Sequence, residues 1–276
     1  MAIPKKLIAE EQIKQIAFIS DIHGNLEALL AVLGEIKKKG ITKIICVGDV
    51  VGYGADPGAC IEIIRKNEIP SVQGNHDSYV CSDKGMGSIN RDAYESILWT
   101  RESLSPEQKE WLSQLPLVIE FESISVAHSS LKNPEDWGYV LDKEQAEECF
   151  SMQNNSITII GHTHCPYIFC KSNATITGDV LHLATCNNLD KYIVNAGSVG
   201  QPRDKHYKAT YLIYDVMKST FSLERVVYDV ETAKRKIIKR GLPRHNATRL
   251  TPSVKVKYCG ASEASEKVSF WRKSKE

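Results

Sequence analysis

Five of the chain's eight histidines stand with Asp, Asn or Gly at the ends of short apolar runs. Ile16-Ala17-Phe18-Ile19-Ser20 closes on Asp21-Ile22-His23-Gly24-Asn25, and Lys43-Ile44-Ile45-Cys46-Val47 closes on Gly48-Asp49. Ile69-Pro70-Ser71-Val72-Gln73 closes on Gly74-Asn75-His76-Asp77. Ile124-Ser125-Val126-Ala127 closes on His128, and Ile157-Thr158-Ile159-Ile160 on Gly161-His162-Thr163-His164. Hard oxygen donors mixed with imidazole nitrogens are the chemistry of a transition-metal centre. Asp49 is the natural bridge, because a carboxylate has two oxygens and can serve two ions. A single histidine is more often structural than ligating, but that reading fails for five grouped in this way. His182, His206 and His245 lie outside the motifs and are read as structural.

Strands must bring these residues together. In α/β sheets, ligands bind in the crevice outside the carboxyl ends of the strands. Gly24 permits a sharp turn, and Asn25 can cap a helix whose apolar positions are Leu26, Leu29, Leu30, Leu33 and Ile36. Pro57 opens a second helix, with Ile61, Ile64 and either Ala59 or Cys60 inward. The β-α-β-α-β opening argues for parallel strands. Residues 78–90 read as a loop and 91–103 as a helix. Ser105-Pro106-Glu107-Gln108 reads as a capping box that opens another. This helical insert, about 78–116, either walls the site or covers a sheet edge. Runs at 117–121 and 124–128 form a hairpin, and Asp142 can cap a helix. After His164 the runs at 166–170, 174–177, 180–184, 191–194, 209–215 and 219–228 predict a second, largely antiparallel or mixed sheet. Residues 231–240 read as a helix, and periodicity is lost from 244 onward. One domain over 1–252 is expected, followed by a basic, disordered tail over 253–276.

Composition supports a globular chain, with 42% hydrophobic and 25% charged residues among 276. No apolar run is long enough to cross a bilayer, and the first residues carry no apolar stretch of secretory length. The expectation is a cytoplasmic protein without a membrane partner. The eight cysteines form no CxxC pair and are read as reduced thiols, with Cys165 not a metal ligand. Residues 1–228 carry a net charge of −7 and residues 229–276 one of +8. No nucleic-acid motif accompanies the basic run, so nucleic acid is not an expected partner. Arg203 follows the Gly-rich loop 195–202, and its guanidinium fork suits a phosphate contact; a surface ion pair is the alternative. Tyr53 is read as a wall of its loop.

In order along the chain, Asp-x-His, Gly-Asp, Gly-Asn-His-Asp, His and Gly-His-Thr-His resemble the calcineurin-like metallophosphoesterases. Each motif is weak alone; five in order, each closing an apolar run, are specific. Val-Gly-Asp-Val-Val-Gly-Tyr-Gly and Gly-Ser-Val-Gly-Gln-Pro-Arg are similar to loops of the small bacterial and archaeal members. The resemblance implies a four-layer α/β/β/α sandwich of two facing mixed sheets. It implies two divalent transition-metal ions, manganese foremost, with iron, zinc, nickel or cobalt as alternatives. One ion would take Asp21, His23, Asp49 and His164; the other Asp49, Asn75, His128 and His162. The implied activity is hydrolysis of small phosphomonoesters, phosphodiesters or nucleotides by a metal-bridging hydroxide. His76 would serve the leaving group, Asp77 would hold the His76 imidazolium, and Asn75 and Arg203 would face the substrate. Two departures stand out. Val50 and Val51 follow Asp49 where protein Ser/Thr phosphatases carry Arg, and Ser129 follows His128 where Gly is frequent. A protein phosphatase and a non-catalytic metal-binding scaffold of the same fold are the competing readings.

Overall fold

The computed structural model describes residues 13–204 and 206–251. The tail expected over 253–276 lies outside the described residues. The chain runs β1 (Gln15–Ile19), α1 (Leu26–Lys38), β2 (Lys43–Cys46), α2 (Pro57–Lys66), α3 (Asn75–Cys81), α4 (Arg91–Ser103), α5 (Pro106–Ser113) and β3 (Val118–Phe121). It continues through β4 (Ile124–Ala127), α6 (Lys143–Ser151), β5 (Ile157–Ile160), β6 (Tyr167–Ser172), β7 (Thr175–Val180), β8 (Leu183–Thr185) and β9 (Lys191–Asn195). The last elements are β10 (Ala209–Asp215), β11 (Thr220–Val226), α7 (Val230–Lys239) and α8 (Arg244–Thr248).

Two mixed sheets form, ordered β2-β1-β10-β11-β8 and β3-β4-β5-β9-β6-β7. β1 pairs with β2 in parallel and with β10 antiparallel; β5 is parallel to both β4 and β9. Side chains alternate across each strand, and here both faces are apolar. From β1, Ile16 and Phe18 join a core that also takes Val126, Ile159 and Val194 of the other sheet. Ala17 and Ile19 turn to the opposite face, beneath Leu29, Val32, Ile61 and Ile64 of α1 and α2. On the far side, Ile160 and Ile193 meet Ala146, Cys149 and Phe150 of α6. Three apolar clusters thus separate four layers, which is the α/β/β/α sandwich the sequence resemblance implies.

Several local expectations are corrected. The strands after His164 do not make a sheet of their own. β8, β10 and β11 join β1 and β2, while β6, β7 and β9 join β4 and β5. The run 69–73 forms only a single parallel bridge between Cys46 and Ser71. Pro70 within the run has no N–H to donate, so it suits an edge. Helix α3 occupies part of the predicted loop 78–90, and α8 adds a short helix after 243. The buried face of α1 is Ala28, Leu29, Val32 and Ile36, whereas Leu30 is 54% exposed. Cys46, Cys60, Cys81, Cys149, Cys170 and Cys186 are free thiols. Within the insert, α4 packs on α2 and α3, α5 packs on α3, and Tyr79 near the end of α3 stands 6.5 Å from the His76 ring. Among the described residues no helix is long and apolar enough to cross a membrane.

The helix register gives a direct test. Leu29→Ala should cost about 2–5 kcal/mol of stability in urea denaturation. Leu30→Ala should stay within about 0.5 kcal/mol of the parent.

Candidate metal centre

The candidate ligands stand where strands stop. Asp21 and His23 follow β1, Asp49 follows β2, His128 follows β4, and His162 and His164 follow β5. Asn75 and His76 open α3. Asp21, His23, Asp49, His162 and His164 all take left-handed backbone conformations, with φ between 51° and 67°. Such conformations are unfavourable for non-Gly residues, and they gather at functional sites when the surroundings over-determine them. Here the loops hold one another. The Asp21 N–H donates to Gly48 O (3.0 Å), His23 N–H to Asp49 O (2.9 Å), Gly161 N–H to His128 O (3.0 Å) and Gly200 N–H to Asp21 O (3.0 Å). Gly74 must lack a side chain, since a Cβ there would overlap Asp49 Oδ1.

Three rings have one nitrogen committed to the backbone. The Nδ1 atoms of His23, His128 and His164 lie 3.0, 2.8 and 2.6 Å from the carbonyls of Val51, Val47 and Gln201. A carbonyl only accepts, so each Nδ1 carries a proton and each Nε2 turns inward, the usual way a ligating imidazole is oriented. The Nε2 atoms of His23 and His164 sit 3.0 Å apart, and Asp21 Oδ1 is 3.2 Å from His164 Nε2 and 3.7 Å from His23 Nε2. Asp49 Oδ2 is 3.3 Å from His128 Nε2 and 3.6 Å from His23 Nε2, so one carboxylate touches both halves. Asn75 Oδ1 is 3.2 Å from His128 Nε2.

The residues fit a cation. Ser20 Oγ and the His162 N–H donate to Asp21 Oδ2 (2.6 and 3.1 Å), leaving Oδ1 buried without a donor. His162 Nε2 is likewise buried without a partner. Two such buried polar atoms left without a partner are costly unless something joins them. Asp21, His23 and His164 form one group able to hold an ion, and Asp49, His128 and His162 another. No cysteine enters these groups among the described residues.

Electrostatics follow from burial and proximity. Burial would raise Asp49, but the His128, His76 and His23 imidazoles hold it well below the usual carboxylate range. Burial would lower His128, but Asp49 raises it to about 9. Burial, with His23 and Arg203 adding, presses His76 down to about 3 against the pull of Asp49. Burial also keeps His162 and His164 well below their ordinary value.

Of the residues singled out in the sequence, Asp21, His23, Asp49, Asn75, His76, His128, His162 and His164 converge. Asp77 requires a correction. Its oxygens accept the Val51 and Gly74 N–H groups (3.1 and 3.0 Å), and it makes no pair with the His76 ring. Burial, then Asp49, pushes its carboxyl up to about 7. His76 instead packs edge-on to His23 and 4.5 Å from Tyr53, its N–H donating to Asp49 Oδ1 (2.8 Å). Tyr53 is buried and does wall the site. Arg203 donates from Nη2 to Gln201 Oε1 (3.1 Å), and its Nε is buried without a partner. Asn25 caps α1 and donates to Gly200 O (2.9 Å). The sequence reading missed Ser20, Gln201, Trp137 and Tyr139. Ser20 adjoins a motif, but the other contacts are made across the fold.

A two-layer sheet core with Asp, Asn and His on the carboxyl ends of its strands defines a metallophosphoesterase fold. The chain belongs to the calcineurin-like phosphoesterase superfamily, whose domain model matches residues 15–219. It is 30% identical to a metallophosphoesterase from Sphaerobacter thermophilus, with a TM-score of 0.76, covering 86% of this chain and 98% of that one. It is 39% identical over 240 residues to an uncharacterized protein of Methanocaldococcus jannaschii, covering 85% of this chain and 96% of the relative. A hypothetical protein from Pyrococcus horikoshii OT3 shares the fold, with a TM-score of 0.71 at 22% identity over 86% of this chain and 97% of that one.

The position of Asp77 makes a prediction. Asp77→Asn leaves one of two buried N–H groups without an acceptor. Urea denaturation of metal-free protein should show a loss of about 1–3 kcal/mol.

Proposed function

We propose that this chain is a dinuclear metal-dependent phosphoesterase that hydrolyses phosphomonoesters or phosphodiesters of small molecules or nucleotides. The observation that carries the reading is Asp49. It is 1% exposed, and its Oδ2 lies within 3.6 Å of imidazole nitrogens from both halves of a cluster whose Nε2 atoms turn inward. In this reading Asp21, His23, Asp49 and His164 hold one ion, and Asp49, Asn75, His128 and His162 the other. The donor set suits manganese first, with iron, zinc, nickel or cobalt also accommodated. When bound, such ions supply Lewis-acid charge and lower the pKa of water.

The chain's own side chains would do the rest. Asn75 is a neutral amide where a carboxylate could have stood, which keeps the centre positive toward a phosphoryl group. The Arg203 guanidinium has a buried Nε without a partner, and its positive charge acts on His76, His162 and His164; a phosphoryl oxygen would complete its hydrogen bonding. His76 is the residue we assign to the leaving group. Its ring is buried and neutral on its own, and a phosphoryl dianion arriving beside it favours the protonated form that can donate. Asp77 serves by fixing the start of α3, which carries Asn75 and His76. The catalytic unit in this proposal spans residues 1–252.

Metal analysis together with turnover of p-nitrophenyl phosphate and bis-p-nitrophenyl phosphate tests the reading. Two ions per chain and hydrolysis of at least one ester are expected; metal-loaded protein inert toward a broad phosphoester panel would overturn it. Asp49→Asn should lose metal and turnover together. His76→Ala should retain the metal and lose roughly 10²–10⁴-fold in rate on an alkyl phosphate. The loss should be smaller on the nitrophenyl ester, whose leaving group needs little protonation. A variant with near-parent rates on the alkyl ester would refute the assignment.

A further inference from the structure

We propose that Tyr139 is a specificity residue that stacks on a planar aromatic group of the substrate, a nucleobase in the first instance. The proposal rests on the phosphoesterase reading above for the position of the phosphoryl group, and it adds what binds beside that group.

Residues 129–141 form a built loop directly after the His128 position. The Ser130 N–H donates to Gly138 O (3.1 Å), and Ser129 Oγ to Pro134 O (3.2 Å). Asn133 and Trp137 turn the chain at φ 48° and 55°, and the Leu141 N–H donates to Gln145 Oε1 of α6 (2.7 Å). The loop presents two aromatic rings to the cluster. Trp137 meets His128 edge-on at 6.3 Å. Tyr139 lies flat on His162, with centroids 4.1 Å apart and planes 22° from parallel. Across the cluster Tyr53 and Tyr79 flank His76, 4.5 and 6.5 Å from its ring.

These four rings are not equivalent. Tyr53 and Tyr79 are buried, and Trp137 packs against the apolar cluster beneath the helices. Tyr139 is 40% exposed. One face is taken by His162, which fixes the plane of the ring, and part of the residue remains exposed. Its stacking partner His162 belongs to the group formed with Asp49 and His128, so the ring stands directly against the cluster. A partly exposed ring held in one plane at low entropic cost against the cluster is a candidate stacking platform. Base–aromatic stacking tolerates any base because every base has a π face.

The test separates stacking from hydrolysis. The full chain loaded with Mn²⁺ is titrated calorimetrically with adenosine 5′-monophosphate and with ribose 5-phosphate, which present the same phosphoester and differ by the base. The parent should bind the nucleotide about five- to a hundredfold more tightly. Tyr139→Phe should keep that ratio, and Tyr139→Ala should bring it close to one while ribose 5-phosphate binds as before. Equal binding of the two ligands by the parent overturns the proposal. So does a ratio that survives Tyr139→Ala, or one lost in Tyr139→Phe, which would assign the effect to the hydroxyl. Absence of binding by either ligand overturns it as well. Failure to hydrolyse any phosphoester while the binding ratio behaves as stated refutes the phosphoesterase reading and leaves the platform standing.

Discussion

The structure depends on keeping one carboxylate, Asp49, charged and away from water. Removing such a group from solvent costs several kcal/mol unless partners surround it. The partners here are the His76 N–H at 2.8 Å and the Nε2 atoms of His128 and His23 at 3.3 and 3.6 Å. Each comes from a different part of the chain, so Asp49 is stable only if β1, β2, β4 and the start of α3 are all in place. The converse also holds. Asp49 sits at φ 53°, and Gly74 must be glycine to let it approach. The backbone at this point is shaped by the carboxylate rather than by local preference.

The facing sheets supply the frame. β1 lies inside its sheet between β2 and β10, and β5 lies inside the other between β4 and β9. Central strands are held on both edges, so their carboxyl ends are the least mobile places to mount a side chain. Asp21 and His23 leave one centre strand, and His162 and His164 leave the other. The His162 N–H donating to Asp21 Oδ2 (3.1 Å) stitches the two sheets together at that level.

Behind the cluster, the last two helices brace the loops that carry it. Lys236 of α7 pairs with Glu27 of α1 and with Asp56 at the start of α2, at 2.5 and 2.8 Å. Tyr228 lies within 3.4 Å of Asn25, whose amide also holds the Gly200 carbonyl. Asn246 of α8 is buried and donates to Tyr53 O (3.2 Å) and Ser96 Oγ (2.8 Å). This segment follows the stretch matched by the family's domain model, which ends at residue 219. It nevertheless secures the loop whose Tyr53 ring packs on His23 and His76.

Family membership and the four-layer fold were legible in the sequence because the motifs are local. Each short apolar run and the polar residues that close it lie within a few positions of one another, and their order along the chain is specific. Cap residues were legible for the same reason: Asn25, Ser105 and Asp142 each accept an N–H from three residues ahead. Strand partnership was not, because a strand's pattern says which faces are apolar but not which edge it joins. Thus β8, β10 and β11 returned to the first sheet. Likewise, both faces of α1 carry leucine, so only its docking decided that Val32 is buried and Leu30 is exposed. At the site, the tertiary structure decided what neighbours do for one another. It turned Asp77 away from the His76 ring and onto two backbone N–H groups, and it laid Tyr139 on His162. Those contacts join segments far apart in the chain or depend on a ring's orientation, and neither quantity is written in the order of residues.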